Sequence, residues 1–165
     1  MEKLYKAGKT RSIGVSNFSI KQLEALLAYA EIKPVINQVE IHPLFPNTEL
    51  LEFCWSRDIL PAAYSPLGSQ EKKGGAKLID HPELNAIAAK KGVGLAQLCI
   101  SWGIKRGYVV LPKSATPSRI KSNFEFMDLS EEEFEAVQNV ARAGHTRFVN
   151  PIDKFGFDAF ALESV

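Results

Sequence analysis

Lys113, Ser114, Thr116, Arg119 and Asn123 fall within eleven positions in LPKSATPSRIKSN, residues 111–123. Two cations, two hydroxyls and a helix start at Thr116-Pro117 are the groups that hold a phosphate: Lys as a point charge, Arg as a planar fork, and free backbone N–H groups as donors. Arg119, three residues beyond Thr116, can lie over the same end of that first turn. A plainer alternative stays open, with Lys113 and Arg119 as solvated charges and Thr116 as a simple cap.

Three other polar groups close β-rich runs. They are Ser16-Asn17 in RSIGVSNF (11–18), Asn37-Gln38 with Glu40 and His42 in PVINQVEIHP (34–43), and Tyr64-Ser65 with Ser69 in ILPAAYSPLGS (59–69). A side-chain amide offers a donor and an acceptor together, and a tyrosine offers a flat face for stacking. The set suits a flat heteroaromatic ring bearing an amide, although Ser16 and Asn17 are equally the composition of a turn. His42 has no partner suggested by spacing, and His81 and His145 sit beside a helix start and in a polar turn.

The elements that must position these groups alternate. After the first run, Leu23, Leu26, Leu27 and Ala30 keep helical spacing behind a Ser19–Gln22 capping box. After the second, Thr48 can cap a helix through Trp55; after the third come the polar, Gly-rich loop EKKGGAK, expected to be mobile, and an Asp80–Glu83 capping box with Pro82 in the first turn. Helices are predicted over 82–91 and 95–106, a strand over YVVLP (108–112), a short helix over 117–123 and a Ser130-capped helix over 130–142. The tail from Gly144 to Val165 has no clear period.

Strand followed by helix, repeated, indicates parallel βα units and an α/β class. Neither GxGxxG nor GxxxxGK[ST] occurs, which favours a (β/α)8 barrel-type sheet over a doubly wound one. A whole barrel needs eight strands and typically ~250 residues. Four strands in 165 residues predict one domain over 1–165 that makes about half a barrel.

Bulk composition excludes more than it names. Twenty Lys and Arg stand against nineteen Asp and Glu, without a long run of one sign for a nucleic-acid backbone or an anionic membrane. No apolar stretch approaches the roughly 18 residues of a membrane span, and the N-terminus lacks a signal-peptide core, so a cytoplasmic protein is expected. Cys54 and Cys99 lack CxxC spacing and read as small buried hydrophobes, and three scattered histidines supply no metal-ligand spacing.

GKTRSIGVSNF, VINQVEIHP, AYSPLGS and LPKSATPSRIKSNF, in this order and spacing, resemble the second half of the aldo-keto reductase superfamily. The resemblance implies a (β/α)8 barrel that binds extended NADPH and reduces aldehydes and ketones to alcohols. It implies that Ser16, Asn17 and Gln38 bond the nicotinamide carboxamide, that Tyr64 stacks on the ring, and that Ser65, Leu67 and Ser69 line the pyrophosphate path. Lys113, Ser114 and Arg119 would hold the 2′-phosphate beside Thr116, with Asn123 at the adenine and Ala96 and Leu111 flanking the cofactor. Ser122 stands where many members carry Glu. The tail FVNPIDKFGFDAF resembles the loop that closes the family's substrate site.

The family's acid-base tetrad of Asp, Tyr, Lys and His lies upstream of everything matched, so no catalytic residue is assigned here. Three functions remain open: the cofactor half of an NADPH-dependent carbonyl reductase completed by an N-terminal half, a non-catalytic NADP-binding or regulatory half barrel, or a truncated product. In the last case, sheet edges near 11–15 and 108–112 are expected to pair with a second copy.

Overall fold

The computed structural model describes residues 1–68, 77–143, 145–150, 156 and 160. In order they form α1 (Glu2–Lys6), β1 (Val15–Ser16), α2 (Ile20–Leu27), β2 (Ile36–Glu40), α3 (Thr48–Ser56) and β3 (Leu60–Tyr64). A 3₁₀ turn (Leu78–Asp80), α4 (Pro82–Lys91), α5 (Leu95–Lys105), β4 (Val109–Val110), α6 (Pro117–Ser122) and α7 (Glu131–Ala143) follow. The sheet order is β1-β2-β3-β4, with β1 parallel to β2 and Val15 opposite Asn37. Strands adjacent in sequence and in the sheet, joined through helices, are the α/β arrangement of successive barrel units; a doubly wound sheet reverses its order at a switch point.

The chain divides into two compact units, Met1–Val39 with Asn47–Ala62 and Asn150–Val165, and Glu40–Pro46 with Ala63–Val149. In the first, Leu23, Val39, Leu51, Cys54, Ile59 and Ala62 are buried. The capping box of α2 is present: Gln22 N donates to Ser19 Oγ at 3.3 Å and Ser19 N to Gln22 Oε1 at 2.9 Å. Of the apolar stripe on α2, Leu23 is buried and Leu26 and Leu27 are half-buried.

β1 is two residues long, far shorter than the run 11–18. At Gly14 a Cβ would stand 2.9 Å from Ile36 O, so the chains approach too closely there for a side chain. Pairing continues through one bond, Val35 N to Ile13 O at 2.9 Å. The cap of α3 is Asn47 rather than the expected Thr48, which is the first helical residue. Asn47 takes φ 52°, a left-handed conformation that asparagine tolerates better than threonine. α1 was not expected; it buries none of its residues and is held by Glu2 Oε1, which accepts from Ile32 N at 2.9 Å, and by a Lys6–Glu31 ion pair.

The second unit is built on α5, which buries Leu95, Leu98, Cys99, Ile100, Ser101, Trp102 and Gly103. Trp102 Nε1 donates to Gln138 Oε1 of α7 at 2.8 Å. A Cβ at Gly103 would meet Tyr108 Cε2 at 2.7 Å and Val110 Cγ2 at 2.8 Å, so β4 and its flank lie directly on α5. Truncating a buried indole of this kind costs roughly 3–5 kcal/mol.

α4 is capped by His81, whose Nδ1 accepts from Leu84 N at 3.5 Å; the expected cap Asp80 instead ends the preceding 3₁₀ turn. Pro82 at the first helical position places the cap one residue later than the Asp80–Glu83 spacing implied. Ser130 and Glu133 form the capping box of α7, at 3.2 and 2.8 Å. Residues 71–76 of the EKKGGAK loop and most of the tail beyond Asn150 lie outside the described residues.

Candidate functional site

In the first unit the turn after β1 is tied to the backbone of β2. Ser16 Oγ donates to Gln38 O at 2.8 Å and Asn17 N donates to the same oxygen at 2.9 Å. Asn17 takes φ 59°, which bends the chain into α2. Neighbouring strand residues face opposite sides, and this separates Asn37 from Gln38. Asn37 is fully buried, donating through Nδ2 to Phe18 O at 2.9 Å and accepting from Phe18 N at 3.3 Å. Its amide therefore serves the fold. The side-chain amide of half-buried Gln38 has no partner among the described residues and can address a ligand.

In the second unit Tyr64 ends β3 half-buried, and Ser65 at φ 48° starts a tight turn that Gly68 closes, its N–H donating to Ser65 O at 2.8 Å. Leu67 is half-buried within that turn, and Ala96 is half-buried in the first turn of α5. Ser69 lies outside the described residues.

Beyond β4, Leu111 N donates to Ala63 O at 3.0 Å, carrying the pairing past the strand. Leu111, Lys113, Ser114 and Asn123 share the wall of a groove of about 690 Å³, otherwise apolar, with Ile120 and Phe124. Thr116 and Arg119 are exposed and stand outside that wall. Ser114 Oγ accepts from Thr116 N at 3.1 Å, so it folds the turn ahead of α6. Thr116 precedes α6 but makes no side-chain cap bond. Lys113 and Arg119 are exposed, and neither side chain has a partner among the described residues.

A second polar cluster in this unit pairs two residues that the sequence places at one strand end without suggesting a partner for His42. Glu40 and His42, both side chains fully buried, meet at 2.9 Å between Oε1 and Nε2. Phe148 N donates to Glu40 Oε1 at 2.8 Å and Val149 N to Oε2 at 3.0 Å. Burial alone would raise the Glu40 pKa, but the His42 bond and the two backbone donors outweigh it and hold the carboxyl below the usual carboxylate range. The Glu-Ile-His alternation was a usable signal, since residues two apart on a strand share a face.

Among the described residues no group of three or more His, Cys, Asp or Glu could hold a metal ion. Both cysteines are buried, and burial pushes the Cys99 thiol up to about 12. It is no nucleophile at neutral pH.

Four strands in sequence order within one sheet, joined through helices, define an α/β protein of the barrel type. The aldo/keto reductase family matches residues 1–142, and the chain belongs to that family of oxidoreductases. It is 54% identical over 165 residues to a glycerol 2-dehydrogenase (NADP(+)) of Hypocrea jecorina, covering 99% of this chain and 52% of that protein. A glycerol 2-dehydrogenase (NADP(+)) of Saccharomyces cerevisiae is 49% identical over 154 residues, covering 92% and 48%. The aldose reductase of Giardia lamblia matches in structure with a TM-score of 0.88 at 36% identity, over 97% of this chain and 54% of that one. The chain thus spans about half the length of the curated relatives it matches.

Proposed function

We propose that this chain supplies the NADPH-binding half of a carbonyl reductase. The observation that carries the reading is the junction after β4, where exposed Lys113 and Arg119 have no partner among the described residues and Lys113 shares a groove with Ser114 and Asn123. Two unspent cations and a hydroxyl fit the 2′-phosphate that distinguishes NADPH from NADH. Asn123 on the same wall serves the adenine, and Leu111 and Ala96 flank the cofactor.

Gln38, with Ser16 and Asn17, holds the carboxamide by donor and acceptor; Tyr64 offers its ring face, and the Ser65–Gly68 turn, with Leu67 and then Ser69, follows the pyrophosphate. The cofactor, when bound, supplies hydride to an aldehyde or ketone. A proton donor for the carbonyl oxygen is not among the assigned residues, because the resemblance puts the family's acid-base tetrad upstream of the motifs matched here. NADPH with an aromatic aldehyde, or with the ketone of a small polyol as the names of two relatives suggest, should give no turnover with this chain alone.

Titration of protein fluorescence with NADPH and NADH tests the reading. NADPH should bind more tightly, and Lys113→Gln and Arg119→Gln should each narrow the gap about tenfold, the worth of one hydrogen bond to a charged group. Equal affinities for the two dinucleotides, or no binding of either, would sink it. Binding that persists without turnover after an N-terminal half is added would mark a non-catalytic NADP module instead.

One observation favours a second reading. β4 ends the strand order, and Leu111, Ile120, Phe124 and Phe126 beside it are 43%, 46%, 80% and 58% exposed. An edge strand flanked by apolar side chains pairs readily, and a second copy of this chain is the proposed occupant. Sedimentation should show a dimer that Phe124→Ser with Phe126→Ser converts to monomer; a wild-type monomer at high concentration would exclude it.

A further inference from the structure

The Glu40–His42 pair is more than a buried ion pair, because of what its acceptors hold. Glu40 fixes Phe148 and Val149 by their backbone N–H groups at 2.8 and 3.0 Å. The Phe148 ring, 2% exposed, lies 5.1 Å from the His42 ring between centroids. The same ring also meets Gly68, where a Cβ would stand 3.1 Å from Phe148 Cε2 and 3.1 Å from Leu78 Cβ. Gly68 at φ +69° closes the turn that carries Ser65 and Leu67 directly after Tyr64. One line of contacts therefore runs from a buried carboxylate, through an aromatic ring, to the turn assigned to the cofactor.

A side chain of similar volume without charge could fill the space at Glu40, but only by leaving its buried donors stranded, which is costly. It could not accept from two successive backbone N–H groups and an imidazole at once. Chemistry of this kind specifies a single arrangement of the 146–149 segment, which Thr146 N also anchors by donating to Leu44 O at 2.7 Å.

We propose that Glu40 and His42 are positioning residues for the Tyr64–Gly68 turn: the carboxylate sets Phe148, Phe148 sets the turn, and dinucleotide affinity depends on a carboxylate that does not itself touch the ligand. This rests on the cofactor reading above. It goes beyond it by assigning a role to two buried groups that reading leaves idle.

The test measures NADPH and NADH affinity together with amide hydrogen exchange on the full chain. Glu40→Gln keeps the shape but converts one acceptor to a donor. NADPH affinity should fall about tenfold, the scale of one lost hydrogen bond to a charged group. Exchange at Phe148 and Val149 should accelerate, while the NADPH-to-NADH ratio stays unchanged because Lys113 and Arg119 are untouched. His42→Gln, which retains a donor toward Glu40, should lose less.

A folded Glu40→Gln chain with faster exchange and undiminished affinity overturns the proposal. Should that variant fail to fold, Gly68→Ala, which crowds Phe148 with Glu40 intact, and Phe148→Leu decide it: undiminished affinity in both overturns it, and a matching loss at unchanged dinucleotide preference supports it. Failure of the wild-type chain to bind either dinucleotide removes the cofactor reading and this inference with it, an outcome distinct from loss of the Glu40 effect alone.

Discussion

Two charged clusters of the second unit use their charge in opposite ways. Around Glu40 the polar groups are fully buried and turned inward, each carboxylate oxygen taken by protein donors. Around Lys113 and Arg119 the charges are exposed and uncommitted among the described residues. Charge engaged internally is part of the fold; charge left open is available to a ligand. The contrast predicts that damage to the first cluster appears in stability and damage to the second in selectivity.

The largest effect follows from deleting the buried carboxylate outright. Glu40→Ala strands two backbone N–H groups and an imidazole N–H in the interior, and should cost about 3–5 kcal/mol, the usual loss on breaking a buried charged network from one side. Lys113→Ala should change stability by less than about 0.5 kcal/mol, as exposed substitutions do. Urea unfolding of both chains measures the difference; comparable losses would erase the distinction between the clusters.

The pH dependence sharpens the same contrast. With the Glu40 carboxyl held below its ordinary value of 4.5 in the folded state, the unfolded chain binds the proton first as pH falls. Its contribution to stability is thus complete above the ordinary carboxylate range and declines as pH drops from about 4.5 through the folded value. Glu31 and Glu133 are also held low, by Lys6 and Lys91 respectively, and act with the same sign, Glu31 from an exposed position and Glu133 from a half-buried one. The difference between wild type and Glu40→Gln isolates the buried group: wild type should lose more stability than the variant in that acidic interval. Parallel curves would show that Glu40 is not ionised in the native chain.

The two clusters also differ in how far each could be read from sequence. Lys113, Ser114, Arg119 and Asn123 are close along the chain, so their chemistry could be weighed locally, and local spacing likewise sufficed for the Ser19–Gln22 box and the Ser130 cap. The Glu40 partner Phe148 lies 108 positions away, in a tail without periodicity, and no local pattern could pair them. Tertiary approach likewise set the length of β1, because the contact of Gly14 with Ile36 O depends on β2. Pro82 moved the cap of α4 from Asp80 to His81, a case in which two local signals competed and the proline decided the boundary.

At the open cluster the expected effect is on ligand choice alone. Replacing Lys113 and Arg119 together by Gln should bring NADPH and NADH affinities to within a few-fold of each other, about 2–3 kcal/mol of lost discrimination if each cation is worth a decade. The midpoint of urea unfolding should not move. A shifted midpoint would show that these side chains are engaged internally and belong with Glu40.

The smallest expected effect separates the two hydroxyls of the same stretch. Thr116 sits at the cap position of α6 yet makes no side-chain bond there, whereas Ser114 Oγ accepts from Thr116 N at 3.1 Å. An engaged capping hydroxyl is commonly worth ~1 kcal/mol. Thr116→Ala should therefore cost only a few tenths of a kcal/mol, within the ordinary range for a surface change. Ser114→Ala removes a bond that shapes the approach to α6, and should cost about 0.5–1 kcal/mol, a typical net value for one hydrogen bond. Thermal unfolding of the two single variants and the double resolves them, and the double should equal the sum because Thr116 contributes its backbone, not its hydroxyl, to the Ser114 bond. A Thr116→Ala loss as large as that of Ser114→Ala would mean that the Thr116 hydroxyl caps α6 after all, leaving fewer uncommitted groups to meet a phosphate.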